Sequence, residues 1–398
     1  MRVGLVCAHG SIPDRTDTPV VGPRQHVAQV AAQLSARGHD VRVYDRRDDP
    51  DLPAWAEVDG YVVERAPVGP AARTACERLV RHVPELSRWL TERWSAGWAP
   101  DVLHGHFWIG GLVAASAARH SPVPVVQTFH SLGAEQLRRL GQACHDGSHE
   151  RIVLEKALIR VIDMAVAHST DEVEELTRMG LERAAAVVVP VGVDTDLFQP
   201  EGEAAPRGQR PRILSVTGLR PGHGQEDLIR ALRMIGDAEL VIVGGPPRDR
   251  LARHVEARRL TEFAGRLGVG DRVRLVGAVP HRQMPAWYRS ADVVACVSHY
   301  ACSGRMALEA MACGVPVVGY SLGGVADCVV DEVTGRLVPP GEARGLALTM
   351  RRLLADEAQR FAYGHAAVDR VRCSYTWDRA VGTLERLYER LARRTATV

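Results

Sequence analysis

The sequence predicts an α/β protein in which two doubly wound, Rossmann-like domains face a central cleft. Short apolar runs recur along the chain without polar alternation, as strands buried on both faces do. Segments with apolar residues at helical spacing separate these runs, and this alternation is typical of parallel sheets covered by helices. The third observation is length, because 398 residues exceed the roughly 250–300 at which one core stops growing.

The predicted strands fall into two series. The first comprises RVGLVCA, DVRVYD, PVPVVQTF, MAVAHS and AAVVVPVGV, and the second comprises RILSVTG, ELVIVGG, RVRLVGAV, DVVACVS and VPVVGY. Helices are predicted between them, for example in RQHVAQVAAQLSARGHD, where Gly38 suits a helix end. GQEDLIRALRMIG and RLTEFAGRLGVGD have the same helical spacing.

A domain boundary is predicted at residues 199–210. This stretch is rich in proline, glycine and charge and has no periodicity, which is typical of a linker. We therefore expect an N-terminal domain over residues 1–198 and a C-terminal domain over residues 211–375. Residues 376–398 contain an amphipathic helical pattern, which we expect to pack back on the N-terminal domain.

Composition narrows the class of protein. The chain is 46% apolar and 25% charged, as soluble globular proteins are. A net charge of +2 gives no strong basic field for nucleic acid or a membrane surface. No apolar run reaches the about 18 residues of a membrane span, and MRVGLVCAHG predicts a first strand instead of a signal peptide. Eight scattered cysteines suit a reducing compartment, so we expect a cytoplasmic protein.

The segment SGRMALEAMACG predicts an anion site. Ser303 is a suitable helix cap and Gly304 permits close backbone approach. The N–H groups of Gly304, Arg305 and Met306 would then point into the cleft and bind an anion. Glu309, one turn further on, would accept two hydrogen bonds from a ribose diol. The alternative interpretation is a capped helix with an exposed glutamate.

Several motifs carry a family resemblance. VVVPVGVDTDLFQP, ALEAMACGVPVV with GGVADCVVDEVTGRLVPPG, and DVLHGHFWIGGLVA followed by VVQTFHSLG resemble those of retaining, nucleotide-sugar-dependent glycosyltransferases of the GT-B fold, family 4. Within that family the sucrose-phosphate, mycothiol-pathway and phosphatidylinositol mannosyl transferases are the most similar group. The resemblance spans nearly the whole chain. It implies a nucleotide-diphosphate sugar, with UDP or GDP, as the donor substrate, and neither a separate cofactor nor a metal.

The resemblance also assigns roles to individual positions. Glu309 matches the residue that holds the donor ribose, and His130 matches a histidine beside the reacting sugar carbon. His106 matches a residue that lines the same cleft. Gly22 matches the second glycine of a loop under the donor phosphates, although Val21 replaces the first. A lone histidine is more often a core residue, but two at consecutive strand ends favour the functional interpretation.

Three donor-site positions depart from the family pattern. Gly218 and His223 stand where the family has an arginine and a lysine that clamp the diphosphate, and Ala301 stands where it has the first glutamate of a pair, which holds a donor sugar hydroxyl. Lys156 is the only lysine of the chain, so composition explains a missing lysine but would supply arginine, not histidine.

Two explanations of these departures compete. In the first, which we favour, the donor site is rebuilt, with Arg305, Arg220, His223 and Ser303 near the lost cations and Ala301 leaving room for an unusual sugar. In the second, catalysis is lost and the protein is a silent binder of a sugar nucleotide or of a partner protein. An isomerase of the same fold is a third, weaker alternative.

The implied mechanism is front-face displacement with retention, in which a donor phosphate oxygen takes the acceptor's proton. We expect a small-molecule acceptor and a role in specialised metabolism, such as a natural product, small thiol or aminocyclitol pathway. The segments 9–25 and 130–150 are expected to select the acceptor, with Arg15, Arg24, Arg138 and Arg139 as candidate contacts for an anionic group. A homodimer stays an open alternative.

Overall fold

The structure, a computed structural model, describes residues 1–8, 23–72, 74–95, 97–141, 149–300 and 303–396. Within these ranges the N-terminal sheet has eight strands, which lie in the order β3-β4-β2-β1-β5-β6-β7-β8. They are β1 (Arg2–Val6), β2 (Asp40–Arg46), β3 (Trp55–Val58), β4 (Tyr61–Ala66), β5 (Val102–His106), β6 (Val125–Thr128), β7 (Met164–Ala167) and β8 (Ala186–Val188).

The C-terminal sheet has six strands within the described ranges, all paired in parallel, in the order β11-β10-β9-β12-β13-β14. They are β9 (Arg212–Val216), β10 (Glu239–Val243), β11 (Val273–Gly277), β12 (Val293–Cys296), β13 (Val317–Tyr320) and β14 (Gly335–Val338). Two Rossmann-like domains therefore form, and the predicted fold class is confirmed.

Helices cover both faces of each sheet. Those of the N-terminal region are α1 (Pro23–Ala36), α2 (Cys76–Leu79), α3 (Val83–Ser95), α4 (Phe107–Ala118), α5 (Gly133–Leu140), α6 (His149–Ile159) and α7 (Thr170–Arg178). The remainder are α8 (Gln225–Leu232), α9 (Val255–Arg266), α10 (Met284–Arg289), α11 (Arg305–Ala312), α12 (Gly323–Cys328), α13 (Ala343–Ala355), α14 (Glu357–Ser374) and α15 (Trp377–Ala396). Buried apolar side chains fill the space between helices and sheets.

The hairpin of β3 and β4 departs from the expected parallel arrangement. The two strands pair antiparallel and are joined by Asp59 and Gly60, with φ of 46° and 83°. Two consecutive positive φ angles match the tight turn that an Asp-Gly pair favours between strands. The sequence therefore contained the turn, although neither of the two strands that flank it was among those predicted.

The last helix packs against the N-terminal domain. Val381, Leu384 and Tyr388 of α15 join the buried cluster formed by α1 and the strands β1, β2 and β4. Residues 199–210 contain neither helix nor strand, and Arg289 holds them by donating to the carbonyls of Gln199 and Glu203. The exact division at residues 199–210 stays a prediction.

The order of strands locates the cleft. In the C-terminal sheet the chain order reverses between the neighbouring strands β9 and β12, and in the N-terminal sheet it reverses between β1 and β5. Ligands of doubly wound sheets bind beyond the carboxyl ends of the strands at such reversals.

Among the helices of the described residues, none combines the length and the apolar character that a membrane span requires.

Candidate active site

A cleft of about 840 Å³ lies between the carboxyl ends of the two sheets. Side chains of both domains line it, so it has an N-terminal wall and a C-terminal wall. The C-terminal wall includes Gly218, Arg220, His223, Glu309 and the segment 303–307, and the N-terminal wall includes Gln25, His26, Phe107, His130 and His168. Most residues predicted to form the site are therefore brought together.

The start of α11 lies on the C-terminal wall. Gly304 is its cap, with φ of 74°, and a Cβ atom there would lie 2.6 Å from the carbonyl oxygen of Gly324. Only glycine fits both the left-handed backbone and this close approach. The cap is thus Gly304 and not Ser303, because no side chain bonds the helix N-terminus. The first N–H groups, including those of Arg305 and Met306, have no partner within the helix and suit an anion.

Glu309 is buried on the same helix and held from two sides. His281 Nε2 donates to its Oε1 over 3.0 Å, and the Tyr288 hydroxyl donates to its Oε2 over 2.8 Å. Burial opposes ionisation, but the hydrogen bond from His281 and the charge of Arg305 outweigh it, so the pKa of Glu309 lies below its ordinary value. A carboxylate has about four lone-pair sites, so each oxygen keeps capacity for a further donor such as a ribose hydroxyl. The alternative of an exposed glutamate is wrong.

His223 does not replace the missing cation. Its Nδ1 lies 2.7 Å from the Thr217 hydroxyl and its Nε2 lies 2.8 Å from the Tyr300 hydroxyl. Burial, assisted by the charge of Arg220, lowers the pKa of His223 to about 4. The ring is therefore neutral at pH 7 and braces the loop between β9 and α8 instead of carrying a positive charge.

Guanidinium groups supply the positive charge of the C-terminal wall. Arg305, Arg220 and Arg282 all line the cleft. The Arg305 side chain is only 18% exposed, and its Nη1 donates to Gln25 Oε1 of the opposite wall over 2.7 Å. Gly218 lies beside them, and a Cβ atom added there would meet no atom within 4 Å. The position where the family has an arginine is thus open space.

Three histidines of the N-terminal wall form a hydrogen-bonded chain. His168 Nδ1 lies 3.0 Å from the carbonyl oxygen of Val189, His168 Nε2 lies 3.3 Å from His130 Nδ1, and His130 Nε2 lies 3.2 Å from His106 Nδ1. A carbonyl only accepts, so His168 donates through Nδ1, and in a neutral chain each following ring also donates through Nδ1. His130 has φ of 62°, a strained value for a residue other than glycine.

Burial keeps this wall neutral. It lowers the pKa of His26, His106 and His168, and it lowers the pKa of His104 to about 3. His26 packs against His130 and His168, with ring centroids 5.3 and 4.8 Å apart. His106 is fully buried, so it supports His130 and lies behind the cleft surface.

Some predicted residues lie elsewhere. Gly22 and Ala301 fall outside the described residues, as do Val21 and Arg15. Arg138 pairs with Glu175 and Arg139 lies near Glu135, and neither arginine lines the cleft. In the part of the chain that the structure describes, no three histidine, cysteine or acidic side chains are grouped to hold a metal.

Sequence reasoning missed five residues that complete the site. His281 and Tyr288 hold Glu309, while Gln25, His26 and His168 come from the N-terminal wall. His168 carries a signal, because it stands at the end of the predicted strand MAVAHS, as His106 and His130 stand at strand ends, whereas His26 lies in the first predicted helix. No local pattern links His281 or Tyr288 to Glu309, since 28 and 21 residues separate them.

Each half of the chain matches a known glycosyltransferase family. Residues 20–197 match the family described as Glycosyltransferase Family 4, and residues 201–370 match that described as Glycosyl transferases group 1. The D-inositol 3-phosphate glycosyltransferase of Xylanimonas cellulosilytica is 30% identical, over 99% of this chain and 97% of the relative. The protein of the same name from Thermobispora bispora is 31% identical, over 97% and 94%.

Solved structures agree with this assignment. Sucrose-phosphate synthase from Thermosynechococcus elongatus superposes with a TM-score of 0.87 at 28% identity, over 98% of each chain. Anabaena HepE, solved in complex with UDP and glucose, superposes with a TM-score of 0.72 at 18% identity, over 98% of this chain and 99% of that one. The identity to the second protein is low enough that it supports the fold alone. The chain belongs to the group 1, family 4-like glycosyltransferases of the GT-B fold, and it is an enzyme that uses a nucleotide sugar.

Proposed function

We propose that this glycosyltransferase moves a sugar from a UDP- or GDP-linked donor to a small-molecule acceptor with retention of anomeric configuration. The observation that carries the proposal is the pairing of a fixed carboxylate, Glu309, with an open helix N-terminus at Gly304 on one wall. The carboxylate suits the ribose diol, and the N-terminus suits the diphosphate one turn away.

Positively charged side chains of this protein would balance the negative charge of the diphosphate. Arg305 and Arg220 line the same wall as the α11 N-terminus, and arginine binds phosphate oxygens through paired N–H groups. We propose that these groups stabilise the leaving diphosphate in place of the cations missing at Gly218 and His223, and that no separate cofactor is needed. Removing one hydrogen-bond donor of this kind typically lowers the rate of the chemical step about 10²–10³-fold.

The proposed chemistry takes place on one face of the sugar. The acceptor approaches from the side on which the diphosphate leaves, and a phosphate oxygen receives its proton. His130, on the opposite wall, presents its ring to the carbon at which positive charge develops. The enzyme contributes orientation and electrostatic stabilisation, and closure of the cleft excludes water.

The acceptor is proposed to be a small polyhydroxylated molecule of specialised metabolism, such as an aminocyclitol or small-thiol precursor. The departures of Gly218, His223 and Ala301 from the family pattern support an unusual donor sugar and a specialised pathway. D-inositol 3-phosphate, named in those relatives, is the first acceptor to test.

Calorimetric titration with UDP, GDP, ADP and dTDP tests the donor assignment. We expect micromolar binding of UDP or GDP, and then transfer from the matching sugar nucleotide, with the product anomer assigned by NMR. Binding of none of the four nucleotides overturns the proposal. An inverted product anomer overturns the retaining mechanism alone.

A further inference from the structure

Gln25 spans the cleft from its N-terminal wall. It lies in the first turn of α1, and its side-chain amide contacts two residues of the other domain. Arg305 Nη1 donates to Gln25 Oε1 over 2.7 Å, and Gln25 Nε2 lies 2.8 Å from His281 Nδ1. The partners are 280 and 256 residues away in sequence, so the contact depends on the two domains coming together.

Each group in this network has one hydrogen-bonding role. Glu309 as a carboxylate only accepts, so His281 donates to it through Nε2. The other ring nitrogen, Nδ1, then accepts from the Gln25 amide nitrogen. Arg305 only donates, and the Gln25 amide oxygen accepts from it. The amide thus has one possible orientation, and neither a carboxylate nor an amine at position 25 supplies both roles.

The network ends on the groups proposed to bind the donor. Arg305 is the candidate for the diphosphate, and His281 fixes the carboxylate of Glu309 that is proposed to hold the ribose. If α1 moves away, Arg305 and His281 both lose a partner, and the orientation of Glu309 loses one of its supports. Arg305 keeps four other N–H donors while bonded to Gln25, so the contact orients the guanidinium without occupying it.

A second contact between the domains leaves the donor site untouched. At the start of α7, the Thr170 hydroxyl and N–H donate to the carboxylate of Asp327 over 2.6 and 2.7 Å. Asp171 accepts from the Gly323 N–H over 2.7 Å. Neither Thr170 nor Asp327 lines the main cleft. The chain therefore offers a closure contact that separates domain docking from orientation of the donor site.

We propose that Gln25 is a positioning residue that completes the donor site from the opposite domain by orienting Arg305 and His281 together. The inference rests on the proposed donor function of Arg305 and Glu309. It links donor binding to closure, because the donor site reaches its full set of hydrogen bonds only when α1 is docked.

The test uses the full-length protein with UDP and GDP, and the corresponding sugar nucleotides. Gln25→Met preserves volume and removes both hydrogen bonds, and we expect it to weaken nucleotide affinity and raise the donor KM by about tenfold, the effect of losing a hydrogen bond to a charged group. Gln25→Glu should weaken affinity further, since a carboxylate cannot donate to His281 Nδ1 and adds negative charge near the phosphates. Thr170→Val removes the hydroxyl hydrogen bond of the remote closure contact and keeps its backbone bond, and it should change donor KM by no more than about twofold, the effect of a weak exposed hydrogen bond.

The outcomes separate this inference from the proposed function. If wild-type protein binds UDP or GDP and Gln25→Met binds it equally well, the inference alone is overturned. Equal losses in Gln25→Met and Thr170→Val would mean that Gln25 acts only by docking the domains, which also overturns it. No binding by the wild-type protein overturns the proposed function together with this inference. Unchanged thermal midpoints, with Gln33→Met on the same helix as control, establish that the variants are folded.

Discussion

The two walls of the cleft differ in the charges that their side chains carry. The C-terminal wall holds an ionised, buried Glu309, arginines and the open N-terminus of α11. The N-terminal wall holds imidazoles that burial keeps neutral. In a transfer reaction the leaving diphosphate accumulates negative charge while the sugar carbon becomes positive. The positive groups of the C-terminal wall suit the leaving diphosphate. Neutral rings on the N-terminal wall suit the sugar carbon, because a positively charged imidazolium would repel the positive charge that develops there.

The largest expected effect is on stability at low pH. The folded-state pKa values of His26, His104, His106 and His168 lie below the ordinary value of about 6.5, because burial disfavours the charged rings. Between the folded and unfolded pKa values the unfolded chain binds more protons, so stability falls as pH falls below about 6.5. Each histidine contributes up to about 1.4 kcal/mol per pH unit.

Urea denaturation at pH 7.5 and pH 5.5 measures this effect, and we expect a loss of several kcal/mol. His365→Gln is a matched control, because His365 is exposed on α14 and its removal should leave the pH dependence unchanged. Equal free energies of unfolding at the two pH values would contradict a neutral histidine wall.

The next largest effect is on turnover. His130→Asn keeps a residue that tolerates the left-handed backbone and removes the ring from the cleft. We expect kcat to fall about 10²–10³-fold, since the variant loses a group placed at the reacting carbon. Nucleotide affinity should stay near the wild-type value, because the ring lies on the opposite wall. A parallel loss of nucleotide affinity would contradict the assignment of nucleotide binding to the C-terminal wall and of the reacting carbon to His130.

Each wall contains residues that could be predicted from the sequence and residues that could not, and the difference has a physical reason. Gly304, Glu309, His106 and His130 stand at strand ends or helix starts, where local pattern and family resemblance both point to the cleft. His281, Gln25 and His168 act through partners distant in sequence. The roles of His281 and His168 depend on how distant segments of one domain pack together, and that of Gln25 depends on how the two domains dock. No local pattern encodes either.

His223 illustrates a second limit of the sequence. Its position suggested a substitute cation, but its charge depends on burial and on its hydrogen bonds with Thr217 and Tyr300. Tyr300 follows a different strand, 77 residues away. The sequence shows the residue type but not its protonation state, because the folded environment sets the protonation of His223.

A smaller effect is expected from restoring a cation on the C-terminal wall. Gly218→Arg places a guanidinium in open space beside the proposed diphosphate position. We expect donor affinity to rise about threefold, within the range of a partly exposed ion pair. Gly236→Arg is the control, since that glycine is also unobstructed but does not line the cleft. Unchanged or weaker binding in Gly218→Arg, with wild-type binding in the control, would place the diphosphate elsewhere.

The most direct test of the C-terminal wall compares a nucleoside diphosphate with its nucleoside in one calorimetric series. For the nucleotide that binds best, UDP or GDP, Arg305→Met should weaken diphosphate binding by about tenfold and leave nucleoside binding nearly unchanged. Glu309→Gln should weaken both ligands to a similar extent, because the ribose is common to them. Wild-type affinity for the diphosphate in Arg305→Met, or for the nucleoside in Glu309→Gln, would contradict the assignment of phosphate and ribose to this wall.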